Sequence, residues 1–232
     1  APEDRDEVQR TRGLVLEAKP GMNVGYLAMN GDKPPLDNPK VRQAIAHAVN
    51  TPALIKLAFL GMGSTATTPI PPTMWGHNPR IKPYAFDPAK ARALLRQAGL
   101  PGGFETTLRV MPVSRPYMPQ PEKNARIIQE NLADPSDILE HLFDLESAVK
   151  PHATNISFFR DKTVHALLRQ ADRETDSKRR LEAYARVQEI IHDQAPLLPL
   201  AHAYQTLARS TRVTGIVNHQ TGVIRFAKAE MQ

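Results

Sequence analysis

Asp37-Asn38-Pro39-Lys40-Val41-Arg42-Gln43-Ala44-Ile45-Ala46-His47-Ala48-Val49-Asn50 is the stretch from which the rest of the chain is read. Asn38 is a cap residue, and Pro39 takes the first helical position, where its missing N–H costs nothing. Val41, Ile45, Ala48 and Val49 then recur at helical spacing, so a helix starts here. Pro52 breaks or kinks it, and an apolar continuation through Ile55 and Phe59 to Gly61 makes two short helices. On the N-terminal side, Met22 to Asn30 is a mostly apolar run with turn residues at both ends. It is long enough for a buried strand and too short for a helix.

Toward the C-terminus, Thr67-Thr68-Pro69-Ile70-Pro71-Pro72-Thr73-Met74-Trp75 has too many fixed φ angles and missing donors for regular structure, and reads as an extended loop. Asp87-Pro88 opens a helix carrying Ala91, Leu94, Leu95 and Ala98 on one face, which stops at Gly99 in a left-handed cap. Thr106 to Met111 alternates as a strand does, and Pro112 to Pro119 must leave regular structure. Lys123 to Ala133 reads as helix through Ile127, Ile128 and Leu132. Asp134-Pro135-Ser136-Asp137 then forms a capped turn into a helix holding Ile138, Leu139 and Leu142. Another helix follows Asp161, through Val164, Leu167, Leu168 and Ala171. The last opens at Ser177 with a stripe of Leu181, Tyr184, Ala185, Gln188 and Ile191. Leu197 to Ala201 is a buried strand and Gly222 to Phe226 a weaker one.

The 232 residues allow one large domain or two smaller ones. Without cysteine there is no disulfide scaffold, thiolate metal site or cysteine nucleophile. The net charge of +6 comes from interspersed Lys and Arg rather than a basic block, which argues against a nucleic-acid arm. The longest apolar stretches, near Leu57 to Gly63 and Ala195 to Ala201, fall well below the roughly 18 residues a membrane span needs. Ala1-Pro2-Glu3-Asp4 lacks the basic and apolar regions of a signal peptide, so any export signal is removed or lies outside this chain.

Gly61-Met62-Gly63-Ser64-Thr65-Ala66 mimics a dinucleotide fingerprint, but a helix precedes it and prolines follow, so it reads as a helix-terminating turn. Phosphate loops, nucleophile elbows and His-Glu-x-x-His are absent, and the eight histidines make no i, i+3 or i, i+4 pair. No catalytic residue, metal site or cofactor is expected. Asp134 and Asp137 bring two carboxylates together, as proton chemistry or a cation needs, though a capped turn is the commoner meaning.

The informative unit is Met111-Pro112-Val113-Ser114-Arg115-Pro116-Tyr117-Met118-Pro119. A planar five-donor cation on a proline-stiffened loop loses little further backbone freedom on binding, and its fork matches a carboxylate. In a dehydrated cleft, losing one partner of such a pair costs about 2–5 kcal/mol, roughly 30- to 3,000-fold in affinity. The competing reading is an exposed arginine worth little. Trp75 divides similarly, between floor of a ligand pocket and plug of the core.

Six blocks in order resemble the peptide/nickel-type family 5 of extracytoplasmic solute-binding proteins serving ABC importers, and most closely its dipeptide-binding branch. They are Gly21 to Asn30, Pro35 to Asn50, Pro69 to Trp75, Tyr84 to Ala91, Met111 to Tyr117, and His192-Asp193-Gln194-Ala195-Pro196-Leu197-Leu198-Pro199. The resemblance implies an α/β protein of the periplasmic-binding-protein type II fold, two-lobed and closing on its ligand, which delivers it to membrane permeases without chemistry. This chain would supply mainly the second lobe and be incomplete. Residues 1–29 would lead into the hinge from the first-lobe side, 30–201 form the second lobe with an internal gap near 133/134, and 202–232 return to the first lobe. The hinge itself would pass near Tyr26 to Asn30 and Pro199 to His202.

By the same resemblance Arg115 grips a peptide's C-terminal carboxylate, with Ser114 and Tyr117 beside it. Asp134 and Asp137 match only the tail of the loop that supplies the partner of the α-amino group. The expected partners are a peptide and permease subunits. The expected location is periplasmic or extracellular, with membrane contact only through permeases or a lipid anchor outside this chain. Haem, glutathione or a nickel chelate are alternative cargoes, and a truncated assembly domain without ligand is the reading from another class.

Overall fold

The computed structural model describes residues 4–115, 117–132 and 157–231. Its helices are α1 (Arg5–Arg10), α2 (Pro39–Ala48), α3 (Thr51–Ala58), α4 (Pro88–Gln97), α5 (Pro121–Leu132), α6 (Lys162–Arg173) and α7 (Ser177–Gln194). The strands are β1 (Leu14–Pro20), β2 (Gly25–Ala28), β3 (Gly63–Thr65) and β4 (Leu197–Ser210), followed by the short β5 (Val213–Thr214), β6 (Val217–Asn218), β7 (Ile224–Arg225) and β8 (Glu230–Met231). Side-chain caps explain where most helices begin. Asn38, Asn50, Asp87, Asp161 and Asp176 each accept a hydrogen bond from a first-turn N–H, and each such cap stabilises its helix by about 1 kcal/mol. Between Asn38 and Gly61 the chain makes the two short helices expected, with Pro52 in the first turn of the second, and Gly99 closes α4 at φ +81°.

β4 organises the sheet. Antiparallel, it pairs with β1 along its C-terminal half, with β2 along its N-terminal half, and with β3 at Ala201 to Ala203. Its burial follows the same division: Leu198 to Ala203 are buried, and from Tyr204 onward the strand is half-buried or exposed. The core fills the space between the buried half of β4 and helices α2, α3 and α5, with Leu54, Ala58, Phe59, Leu200 and Ala201 at its centre. Arg42, 4% exposed, ties the opening of α2 to the end of α7. Its Nε donates to Gln194 O at 2.8 Å and its Nη1 to Leu36 O at 2.7 Å and Asp37 O at 2.9 Å. The Gln194 carbonyl, in the last turn of α7, has no intrahelical N–H to meet, and Arg42 supplies its donor.

Three sequence expectations need correction. Thr106 to Met111 runs without a ladder partner and forms no strand, because alternation suits a residue to a sheet face but only a neighbouring backbone makes a strand. Met22 to Val24 are not strand either, so the predicted run shortens to β2. On α7 the buried residues are Ala183, Val187 and Gln188, whereas Leu181 is 37% exposed. The face that α7 buries therefore runs through Ala183, Val187 and Gln188, turned away from the stripe marked by the larger side chains. The expected helix with Ile138, Leu139 and Leu142 lies outside the described residues.

Where β1 gives way to β2, a side chain replaces the backbone. Gly21 N–H still bonds Ala203 O at 3.2 Å, and the ladder is then interrupted. Asn23 fills the interruption: its Oδ1 accepts from Ala203 N–H at 2.9 Å and its Nδ2 donates to Ala203 O at 3.2 Å. A Cβ on Gly21 would run into that same Ala203 carbonyl, so only glycine fits. His202, 2% exposed, completes the junction by donating from Nδ1 to Asn23 O at 2.6 Å. Asn23→Ala takes the acceptor from the buried Ala203 amide and leaves its carbonyl only the Gly21 N–H, a loss of about 1–3 kcal/mol. A lowered urea midpoint measures it, and an unchanged midpoint would contradict this account of the junction.

Burial pulls the His202 imidazole below its usual pKa, against the bond to Asn23 O and with repulsion from His77. Burial likewise lowers His192. Both therefore take up a proton less readily in the fold than in the unfolded chain, where a histidine titrates near pH 6.5. More protons bound in the unfolded state means stability that rises with pH. The urea midpoint should fall from pH 7.5 to pH 5.5, and His202→Gln should flatten that dependence.

Candidate functional site

Between α4 and α5 the chain crosses the core on three apolar anchors, Phe104, Leu108 and Met118, each half-buried against the central cluster. These fix the position of the turn that precedes α5. Within it Arg115 and Met118 bond each other twice: Arg115 N–H donates to Met118 O at 3.1 Å, and Met118 N–H donates to Arg115 O at 2.9 Å. Ser114 Oγ donates to Pro119 O at 2.8 Å and closes the base. Tyr117, half-buried, sets its hydroxyl 3.9 Å from Met111 Sδ. Ser114, Arg115 and Tyr117 thus share one clamped turn, while Pro116, Asp134 and Asp137 lie outside the described residues.

The Arg115 side chain is exposed, and among the described residues no carboxylate lies within ion-pair distance of it. Ion pairs elsewhere, such as Arg209 with Glu17 at 2.7 Å, do not reach it. A guanidinium held on a rigid backbone and left without an internal acid retains its full set of donors for an external carboxylate. The turn carries no nucleophile paired with a base, and among the described residues no cluster of His, Asp or Glu is arranged for a metal.

Gly25 of β2 is what seats this turn against the sheet. A Cβ there would come within 2.5 Å of Tyr117 O and 3.3 Å of Met118 Cε. Sequence reading passed over this glycine, although an isolated glycine inside a strand pattern is itself a sign of close backbone approach. Asn23 carries no comparable signal, since its role depends on Ala203 far along the chain.

Trp75 is not a core plug. It is 55% exposed, edge-on to Tyr184 at 5.7 Å, with the Arg180 guanidinium 5.4 Å from its ring centroid. Its loop is held by the buried Gln188, which donates to Gly76 O at 2.7 Å and accepts from Asn78 N–H at 3.2 Å. The Gly61 turn ends α3 at φ +73° and leads into β3, the reverse of the strand-to-helix order a dinucleotide requires.

The family model described as "Bacterial extracellular solute-binding proteins, family 5 Middle" matches residues 1–136. A dipeptide-binding protein of Escherichia coli (strain K12) is 36% identical over all of this chain and 50% of its own length. Heme-binding protein A of Haemophilus influenzae is 33% identical over 91% of this chain and 45% of its own. The solved structure of HbpA2 from Haemophilus parasuis superposes with a TM-score of 0.88 at 30% identity, covering 100% of this chain and 52% of that one. The chain spans about half the length of the curated relatives it matches, and these relatives are named as binding proteins, not enzymes. The fold is that of the type II periplasmic binding proteins.

Because Gly25 permits the close seat of the turn, Gly25→Ala must push Tyr117 and Met118 outward. The expected result is a loss of about 1–3 kcal/mol in stability, with amide NMR shifts concentrated at Ser114 to Met118. Shifts confined to β2 would contradict the seating described.

Proposed function

The chain belongs to family 5 of the bacterial extracellular solute-binding proteins, and on that footing we propose that it is the second-lobe part of the binding component of an ABC importer, taking di- or oligopeptides. The carrying observation is the Arg115 guanidinium, exposed on a doubly bonded turn and free of any internal carboxylate among the described residues. Arg115 receives the peptide's C-terminal carboxylate in a fork-to-fork contact. Tyr117 lies beside the ligand, Ser114 holds the turn, and Asp134 and Asp137 are assigned to the α-amino end. The likeness to a dipeptide-binding protein supports this choice of cargo.

We place the hinge at Gly21 to Val24 against Ala201 to Ala203, nearer the N-terminus of β2 than the apolar run alone indicates. There the ladder rests on the side chain of Asn23 and on His202 rather than on continuous backbone pairing. Residues before it, and those from His202 onward, are assigned to the first-lobe side. The exposed Val217, Val223, Phe226 and Met231 of the C-terminal segment support that assignment, as surfaces awaiting cover. Closure of the two lobes about this junction would bury the ligand and present the closed form to permeases in the periplasm or at the outer face of the membrane.

A second reading takes haem as cargo, favoured by the 33% identity to Heme-binding protein A. Haem too carries carboxylates that Arg115 would meet, and a Soret absorbance shift on adding haem to the chain would select this reading.

The peptide reading is tested by NMR titration of the chain with a dipeptide and with its C-terminal amide. The free acid should perturb Ser114 to Met118 and the amide should bind more weakly. With solvent reaching the pair, Arg115→Ala should cost about 1 kcal/mol, roughly fivefold in affinity, well short of the loss in a closed cleft. Equal binding of acid and amide, or an Arg115→Ala variant that binds like its parent, would rule the assignment out.

A further inference from the structure

A second charged surface lies apart from the Arg115 turn. The extended run from Arg80 to Ala85 and the C-terminal half of α7 form the walls of an open groove of about 570 Å³, with His47 and Lys90 at its border. Four permanent cations line it, Arg80, Lys82, Lys90 and Arg186, against two carboxylates, Glu189 and Asp193. Glu189 is already shared: Arg80 Nη2 lies 3.2 Å from its Oε1 and Arg186 Nη1 lies 3.1 Å from its Oε2. That one acid pairs with a guanidinium from each wall and offsets the charge of only one of them. Lys82 and Lys90 are exposed, and among the described residues neither has an ion-pair partner.

The groove's floor is built from packed rings. Tyr84 donates its hydroxyl to His192 O and stacks on the His192 ring at 4.4 Å, while His47 meets it edge-on at 5.1 Å. Burial pushes the Tyr84 phenol up to about 12, so it stays a neutral donor. His47 Nδ1 is spent on Ala85 O at 2.9 Å, which anchors the Arg80 to Ala85 run to α2. With one face of Tyr84 covered by His192 and His47 at its edge, the floor has little to offer a flat aromatic ligand. What remains is a set of lysine and arginine donors that outnumbers the groove's carboxylates four to two.

We propose that this groove is an anion site for a multiply charged phosphate ligand, either a soluble oligophosphate or the phosphate headgroups of a lipid surface. Arg80 and Arg186 serve as preorganised forks, and Lys82 and Lys90 as mobile point charges that close over the phosphates. The site is independent of the peptide reading, since Ser114, Arg115 and Tyr117 take no part in its lining.

The test is calorimetric titration of the whole chain with tripolyphosphate at low salt, repeated with vesicles of phosphatidylglycerol and of phosphatidylcholine. Tripolyphosphate should bind, weaken as salt is raised, and lose about tenfold in affinity in the double variant Lys82→Gln, Lys90→Gln. Both side chains are exposed and, among the described residues, in no ion pair, so the variant should keep the parent's urea midpoint. Lys56→Gln with Lys228→Gln removes the same charge from exposed positions elsewhere and should bind like the parent, as should Arg115→Ala. Binding also to phosphatidylglycerol vesicles, lost in the groove variant, assigns the lipid source, and binding of tripolyphosphate alone assigns the soluble one. No binding, unchanged affinity in the groove variant, or an equal loss in either control would overturn the proposal.

Discussion

The structure depends on how β4 keeps its backbone satisfied while it serves three different strands. A buried strand must find a partner for every N–H and C=O, and β4 does so with β1, β2 and β3 in turn. At Ala203 the ladder of β1 ends before that of β2 begins, and the Asn23 amide supplies one donor and one acceptor in place of a peptide group. This junction lets the buried half of β4 belong to the core and the exposed half stand away from it. It also sets the start of β2, and through Gly25 the seat of the Arg115 turn. Backbone accounting at one residue thus reaches the candidate site through two short steps along β2.

Much of this was legible in the sequence where the cause is local. Asn38, Asp87 and Asp161 announce helices because a cap acts within three residues of itself, and prolines mark the same boundaries from the other side. Arg115 stood out for a local reason as well, a cation between proline-rated constraints, and the structure puts it on a rigid turn with Ser114 and Tyr117. The family likeness, read from six ordered blocks, is the family that residues 1–136 match.

What stayed hidden depends on partners distant along the chain. Thr106 to Met111 has the alternation of a strand but no neighbour to pair with, and nothing in six residues states whether a neighbour exists. Leu181 outweighs Ala183 by hydrophobicity, yet the smaller residue is the buried one, which only the packing of the whole helix decides. Asn23, Gly25 and His202 look unremarkable one at a time and acquire their roles only across the sheet. The phosphate-type groove is hidden for the same reason, since Arg80, Lys90 and Arg186 come from three separate segments.

Arg42 has a consequence for how the molecule is made. Its guanidinium joins carbonyls at Leu36 and Asp37 to one at Gln194, and β1 pairs Leu14 with Ser210. Such contacts join residues at least 152 positions apart along the chain, so during synthesis the earlier partner waits unsatisfied until the later one has been made. Topologies of this kind form slowly. Until β4 emerges, the helices before it can be capped one by one while β1, β2 and β3 have no common strand to pair with.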